Sequence, residues 1–310
     1  MVYDGKMERI VYLISAYTDK EQLLRTIDAL DTGDCLFFIH LDRKAKMELP
    51  ERDRVTVLGK RYFIQWGGWN QVLYQKLLLE AFLACPEPYS RAVLISGQDY
   101  PLRSANQVRE AFELYPRKQY VRGLNLSALD HPGPLHEKVV LYHFFRDLPC
   151  SPGLKRFFSG SARQVMRILP IRKKPYLMVE GRRWDVYQAS SYMALTRDCA
   201  QYVVSQMQEN KTLMSYFRYS FVPEELVIPT ILFNSPFREE CELVQGPYPG
   251  LRNLSALTYF HYGKQVYVFR EKDRDELLSC GKLFARKMQS GISEPLMERL
   301  QEYFAEASDQ

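Results

Sequence analysis

Residues 221–232 read Phe-Val-Pro-Glu-Glu-Leu-Val-Ile-Pro-Thr-Ile-Leu, with two adjacent carboxylates, Glu224 and Glu225, directly after Pro223. A carboxylate held on a rigid element can serve as a general base. The same pair also suits an ordinary helix start, where unpaired N–H groups and the helix dipole favour negative charge. Pro223 predicts an extended Val222 and a helix opening at or just after it, anchored by Leu226, Ile228, Ile231 and Leu232. The local pattern leaves both readings open. Two further acids, Asp42 and Asp99, follow predicted strands, and each reads equally as a ligand contact or a turn residue. Asp273-Arg274-Asp275 spells a metal-binding Asp-x-Asp, but it precedes Leu277 and Leu278, where N-terminal helix charge explains it.

These residues need elements to position them. Residues 9–17 (Arg-Ile-Val-Tyr-Leu-Ile-Ser-Ala-Tyr) form a near-continuous apolar run, the pattern of a strand buried on both faces. Asp19 can cap a helix carrying Leu23, Leu24, Ile27 and Leu30. Strands follow at 35–41, ending in Asp42-Arg43-Lys44, at 55–58, and at 91–96, ending in Gly97-Gln98-Asp99-Tyr100-Pro101. The loop Trp66-Gly67-Gly68-Trp69 leads into a long helix bearing Val72, Leu73, Leu77, Leu78, Phe82 and Leu83. The sheet resumes at 190–196, before a helix over 197–208. Strands alternating with helices predict an α/β fold with a mostly parallel central sheet covered on both faces. Ligands of such sheets bind at the carboxyl ends of the strands, where Asp42, Trp66 and Asp99 fall. Neither Gly-x-Gly-x-x-Gly nor Gly-x-x-x-x-Gly-Lys-[Ser/Thr] is present, which argues against a dinucleotide oxidoreductase or a P-loop enzyme.

Composition sets the outer limits. The 310 residues are 46% hydrophobic and 25% charged, so the chain can bury a large core as one domain. A net charge of +5 is too mild for dedicated nucleic-acid binding. Six scattered cysteines without Cys-x-x-Cys or metal spacing read as reduced, mostly buried thiols. Residues 122–178 read as an irregular insertion broken by prolines. It carries Lys155, Arg156, Arg163, Arg167, Arg172, Lys173 and Lys174, with no acid from Leu148 to Val179. That stretch is either a solvated surface or a contact for an anionic membrane or phosphorylated substrate.

Four segments taken together resemble one family. They are Phe38-Ile39-His40-Leu41-Asp42-Arg43-Lys44, Leu94-Ile95-Ser96-Gly97-Gln98-Asp99-Tyr100-Pro101-Leu102, Pro223-Glu224-Glu225 and Leu283-Phe284-Ala285-Arg286-Lys287. In that order they resemble the core-2/I-branching glycosyltransferases, relatives of the peptide O-xylosyltransferases. The resemblance implies a GT-A-like fold and inverting transfer of a sugar, N-acetylglucosamine in the best-studied relatives, from a UDP-sugar to a glycan hydroxyl without a metal or other cofactor. It puts the catalytic base on Glu225. The donor diphosphate falls to Lys287 and Lys264, a Lys where relatives carry Arg, with Arg286 competing, in a diphosphate-binding segment at 259–310. Asp42, Trp66 and Asp99 fall on the donor side. Tyr192, Glu137, Lys138, Tyr142 and Glu224 fall on the acceptor side. Lacking the anchor and disulfide pattern of animal relatives, the chain is expected to be a cytoplasmic, bacterial member. Its basic insertion could then meet an inner membrane surface carrying a lipid-linked acceptor. A catalytically dead glycan- or nucleotide-binding relative is the competing expectation, and transfer of xylose or another sugar a variant of the first.

Overall fold

Strand β1 (Arg9–Ala16) is buried over nearly its whole length, and its alternate residues enter two different cores. Val11 and Leu13 face one, and Ile10, Tyr12 and Ile14 the other, the two-residue period of a strand covered on both sides. The computed structural model that shows this describes residues 9–86, 89–129, 134–263 and 265–308. β2 (Leu36–Leu41) and β4 (Tyr89–Ser96) flank β1 in parallel, β3 (Val55–Val57) extends the β2 edge, and Met193–Thr196 closes the β4 edge antiparallel. Helix α1 (Lys20–Leu30) covers one face with Leu23, Ile27 and Leu30, and α2 (Asn70–Leu83) covers the other with Val72, Leu79 and Phe82. This is the mostly parallel, doubly covered α/β sheet expected of a GT-A-like fold.

Register decides where a site can form. Ser15 of β1 lies opposite both His40 of β2 and Ser96 of β4, so the three strands end at one level. Their carboxyl ends release Tyr17, Asp42 and Gly97 onto a common edge. At Gly97 a Cβ would come within 2.9 Å of the Ala16 Cβ, so a side chain there would push two neighbouring strand ends apart.

Residues 122–178 are more ordered than their prolines suggest. The strand Arg122–Asn125 pairs with Tyr187–Ala189 and Glu242–Val244, and Pro152–Ile168 forms a long helix with Pro152 at its start, where proline costs little. The basic run is also divided. Lys155 donates to Gln65 Oε1 at 3.0 Å, and Lys173 donates to Ser220 Oγ at 2.6 Å and to the Tyr216 backbone carbonyl at 3.1 Å. Both ammonium groups are therefore buried rather than displayed, and burial pulls Lys155 down to about 8 and Lys173 to about 7. Arg167 pairs with Glu137, and Arg172 donates to the carbonyls closing the helix.

The C-terminal segment forms its own small sheet. Phe284–Arg286 pairs in parallel with Thr258–Phe260 and antiparallel with Asp99–Pro101, placing Arg286 across from Asp99. A third core of Phe269, Leu277, Met288, Leu296, Leu300 and Phe304 holds it. The Asp273-Arg274-Asp275 segment opens the helix Arg274–Ser279, with Asp273 accepting from the Arg270 N–H at 2.8 Å, in keeping with a helix start. The six cysteines are free thiols, three of them buried. Among the described residues, no helix is long and apolar enough to cross a membrane.

The Arg286–Asp99 ion pair, 3.0 Å, ties the C-terminal sheet to the end of β4 with Asp99 wholly buried. Removing one partner strands the other charge away from water. Asp99→Ala should therefore lower unfolding free energy by about 3–5 kcal/mol, measured by urea denaturation.

Candidate active site

At the carboxyl edge of the sheet lies a cleft of about 900 Å³. The ends of β1, β2 and β4 form its floor, and the segment from Phe221 to Glu225 forms one wall. That wall is a short 3-10 turn, Pro223–Glu225, running into the wholly buried helix Val227–Phe233. Val222 is not extended: its φ of 48° and ψ of 55° are left-handed, unusual for a β-branched residue and more so before proline. Such a conformation costs on the order of 1–3 kcal/mol and persists only where packing over-determines it. Here Val222 is buried, and the helix beyond is pinned by Thr230, whose Oγ1 accepts from the Tyr187 N–H at 3.0 Å. The turn thereby directs both carboxylates at the cleft.

Glu225 accepts from Gln188 Nε2 at 2.6 Å, and Lys138 Nζ stands 3.9 Å away. Burial raises its pKa, with Lys138 and Gln188 opposing. Glu224 is more deeply buried and is pushed well above the ordinary range by burial and by the charge of Glu225. It accepts from Gln71 Nε2 through one oxygen, while the other, Oε2, is buried without a hydrogen-bond partner in the protein. Tyr248 also lines the cleft, and burial followed by Glu225 raises its phenol to about 12.

At the strand ends Asp42 lines the cleft, its carboxylate accepting from the Lys44 N–H at 2.9 Å and the Ile64 N–H at 3.4 Å. His40 beside it is lowered to about 4 by burial, so the ring is neutral near pH 7. Its Nε2 accepts from the Tyr62 N–H at 3.0 Å, and the ring stacks on Tyr74 at 5.2 Å. Trp66, 58% exposed, presents its ring to the cleft with its edge against Phe221. Its loop is fixed by Asp147, which accepts from the Trp69 and Asn70 N–H groups at 2.7 and 3.1 Å, and by Arg146, which donates to the Trp66 carbonyl. Gly67, at φ +68°, lets Arg146 and Phe221 pack against that loop.

Of the residues expected here, the cleft brings together Asp42, Trp66, Lys138, Tyr192, Glu224, Glu225 and Arg286. Arg286 is committed to Asp99 and stacks over Tyr192 at 5.1 Å. Asp99 does not reach the cleft. Its oxygens accept from the Ser96 N–H at 3.0 Å, Ser96 Oγ at 2.8 Å and Arg286, so it positions rather than contacts. Glu137 is likewise turned away, its carboxylate held by Arg167 at 2.6 Å. Tyr142 stacks on Phe144 with Lys173 over its ring, also outside the cleft. Lys287 follows Arg286 but is not among the lining residues; burial and the neighbouring Arg286 lower its pKa. Lys264 lies outside the described residues. Sequence reasoning passed over His40, Gln71, Tyr74, Gln188 and Tyr248. His40 stands inside a quoted motif, but the two glutamines carry no local signal, since their partners lie 153 and 37 residues away.

A strand-end cleft of an α/β sheet is where such folds bind their ligands, and this one is lined by two carboxyl groups with Lys138 beside them. The family is plain. The Core-2/I-Branching enzyme family matches residues 10–243, and the chain belongs to it. Among curated relatives, a mouse (Mus musculus) beta-1,3-galactosyl-O-glycosyl-glycoprotein beta-1,6-N-acetylglucosaminyltransferase 3 is 19% identical over 95% of this chain and 67% of its own length. A human (Homo sapiens) N-acetyllactosaminide beta-1,6-N-acetylglucosaminyl-transferase is 20% identical over 90% of this chain and 68% of its own length. The protein is a glycosyltransferase of the core-2/I-branching type.

With both carboxyl groups raised, the folded protein retains protons that the unfolded chain releases above the ordinary glutamate value of 4.5. Stability should then fall as pH rises through the folded values. Glu224→Gln should flatten that slope above the ordinary glutamate value, read by urea denaturation at each pH.

Proposed function

We propose that the protein transfers a sugar from a UDP-sugar to a glycan hydroxyl by single displacement with inversion, Glu225 acting as general base. The observation that carries this reading is Glu225 itself: a cleft-lining carboxylate with a burial-raised pKa, kept ionisable by Lys138 at 3.9 Å. The acceptor oxygen attacks the anomeric carbon while Glu225 takes its proton, and the bond to the diphosphate breaks with its electron pair leaving on UDP. A base poised nearer neutrality than a free glutamate suits that step. Glu224, whose raised pKa favours the protonated form, has Oε2 available as a donor to an acceptor hydroxyl. Asp42 and the exposed Trp66 ring are assigned to the nucleotide side, as a hydrogen-bond acceptor and a stacking face. N-acetylglucosamine is the sugar we infer from the names of the two relatives.

Glu225→Gln should keep UDP affinity in ligand-dependent melting and lose at least about 10²-fold in transfer. If Glu224→Gln is the dead variant and Glu225→Gln remains active, the base assignment is off by one residue. Lys138→Met, by removing the cation that lowers Glu225, should move the acid limb of the kcat/KM profile to higher pH.

We further propose that transfer needs no divalent metal. Asp273-Arg274-Asp275, which spells a metal-binding Asp-x-Asp, opens the helix Arg274–Ser279. The counter-charge for the leaving diphosphate is assigned to Lys287, an ammonium lowered by burial and a neighbouring guanidinium, which a bound anion would relieve, together with Lys264. Activity should survive excess EDTA, and Lys287→Ala should cost about 2–4 kcal/mol in transition-state stabilisation. Loss in EDTA with rescue by Mn²⁺ would overturn this assignment and leave the base assignment standing.

A further inference from the structure

The helix Pro152–Ile168 turns only part of its surface to the protein. Lys155 and Met166 face inward and are buried. Leu154, Phe157, Phe158, Val165 and Ile168 are all exposed, Ile168 at 83% and Phe157 at 66%. At about 3.6 residues per turn, Phe157 and Ile168 fall on one row, with Leu154, Phe158 and Val165 on the row beside it. Arg156, Arg163 and Arg167 form a third row flanking the Phe157–Ile168 side. Exposed Leu169, Ile171 and Lys174 prolong the surface past the helix end, and exposed Phe145 packs against Phe158 at 6.2 Å. No acidic residue occurs from Leu148 to Val179.

Large apolar side chains set in water and bordered by cations, here with Arg167 paired to Glu137, are the composition of a helix lying in a bilayer interface. We propose that this face docks on an anionic membrane surface, with Phe157, Val165 and Ile168 entering the headgroup boundary and Arg156 and Arg163 reaching lipid phosphates from the flank. Charge selects this occupant over a second copy, because a symmetric contact through this face would bring two arginine rows together. The face is also joined to the cleft: Lys155, in the helix's first turn, is bonded to cleft-lining Gln65. Docking would therefore hold the cleft mouth beside the bilayer, where a lipid-carried glycan presents its hydroxyl. That last consequence rests on the glycosyltransferase reading; the docking itself does not.

The test is flotation of the full chain with phosphatidylcholine vesicles with and without phosphatidylglycerol. Binding to the anionic vesicles should be at least about 10-fold stronger and should weaken with salt. Phe157→Glu with Ile168→Glu should abolish it while leaving the melting temperature and turnover of UDP-sugar with a soluble acceptor unchanged, since both side chains are exposed. Arg156→Glu with Arg163→Glu should remove the preference for anionic lipid. Equal or absent binding to both vesicles, or variants that bind like the parent, would overturn the proposal. Self-association in sedimentation velocity that the Phe157 and Ile168 substitutions cure, without vesicle binding, would assign the face to a second copy instead.

Discussion

Two adjoining carboxyl groups buried with one nearby ammonium cannot both carry full charge at little cost, and the site is organised around that constraint. Burial and the charge of Glu225 push Glu224 well up, while Lys138 and Gln188 work to keep Glu225 ionised. In the proposed function the neighbours divide one chemical type into two, a donor and a base, a recurring means of running acid and base roles on one scaffold. Replacing the surroundings with water would return both groups to ordinary glutamates. For this reason the wall that buries them matters as much as the carboxylates themselves.

That wall is costly to build. Val222 adopts a left-handed backbone that its β-branch and the following proline both disfavour, and the buried helix Val227–Phe233 supplies the packing that holds it there. Across the cleft, the level ends of β1, β2 and β4 and the close Ala16–Gly97 contact form the floor. The Asp99–Arg286 pair then fastens the C-terminal sheet to that floor and sets Arg286 over the Tyr192 ring. Strain, register and one buried ion pair are the three devices that fix the geometry, and each lies within a segment that the family resemblance singles out or directly adjoins.

The sheet was legible in the sequence because β1, β2 and β4 are buried on both faces and therefore nearly all apolar, while α1 carries Leu23, Ile27 and Leu30 at helical spacing. Strand ends followed, and with them Asp42 and the region of the cleft. Glu224 and Glu225 were legible as a candidate pair, but Val222 was not: local sterics favour an extended residue before proline, and tertiary packing overrode them. Asp99 looked like a contact because a short loop acid is ambiguous until burial is known. Glu137 and Tyr142 lie outside the cleft for a related reason, since sequence position alone cannot tell which side chain turns to the cleft and which to Arg167 or Phe144. The insertion misled most. A run of seven cations reads as one surface, yet Lys155 and Lys173 are interior hydrogen-bond donors, and what remains outside is an amphipathic helix rather than a uniformly basic patch.

The central claim is that the Pro223–Glu225 turn presents the base to an acceptor bound in the strand-end cleft. The most direct measurement is a structure of the complex with UDP and a glycan acceptor identified by turnover. The account predicts uridine against Asp42 and the acceptor hydroxyl within about 2.6–3.2 Å of a Glu225 carboxylate oxygen. An acceptor hydroxyl bound to Glu224 with Glu225 out of reach, or UDP seated away from the ends of β1, β2 and β4, would contradict it.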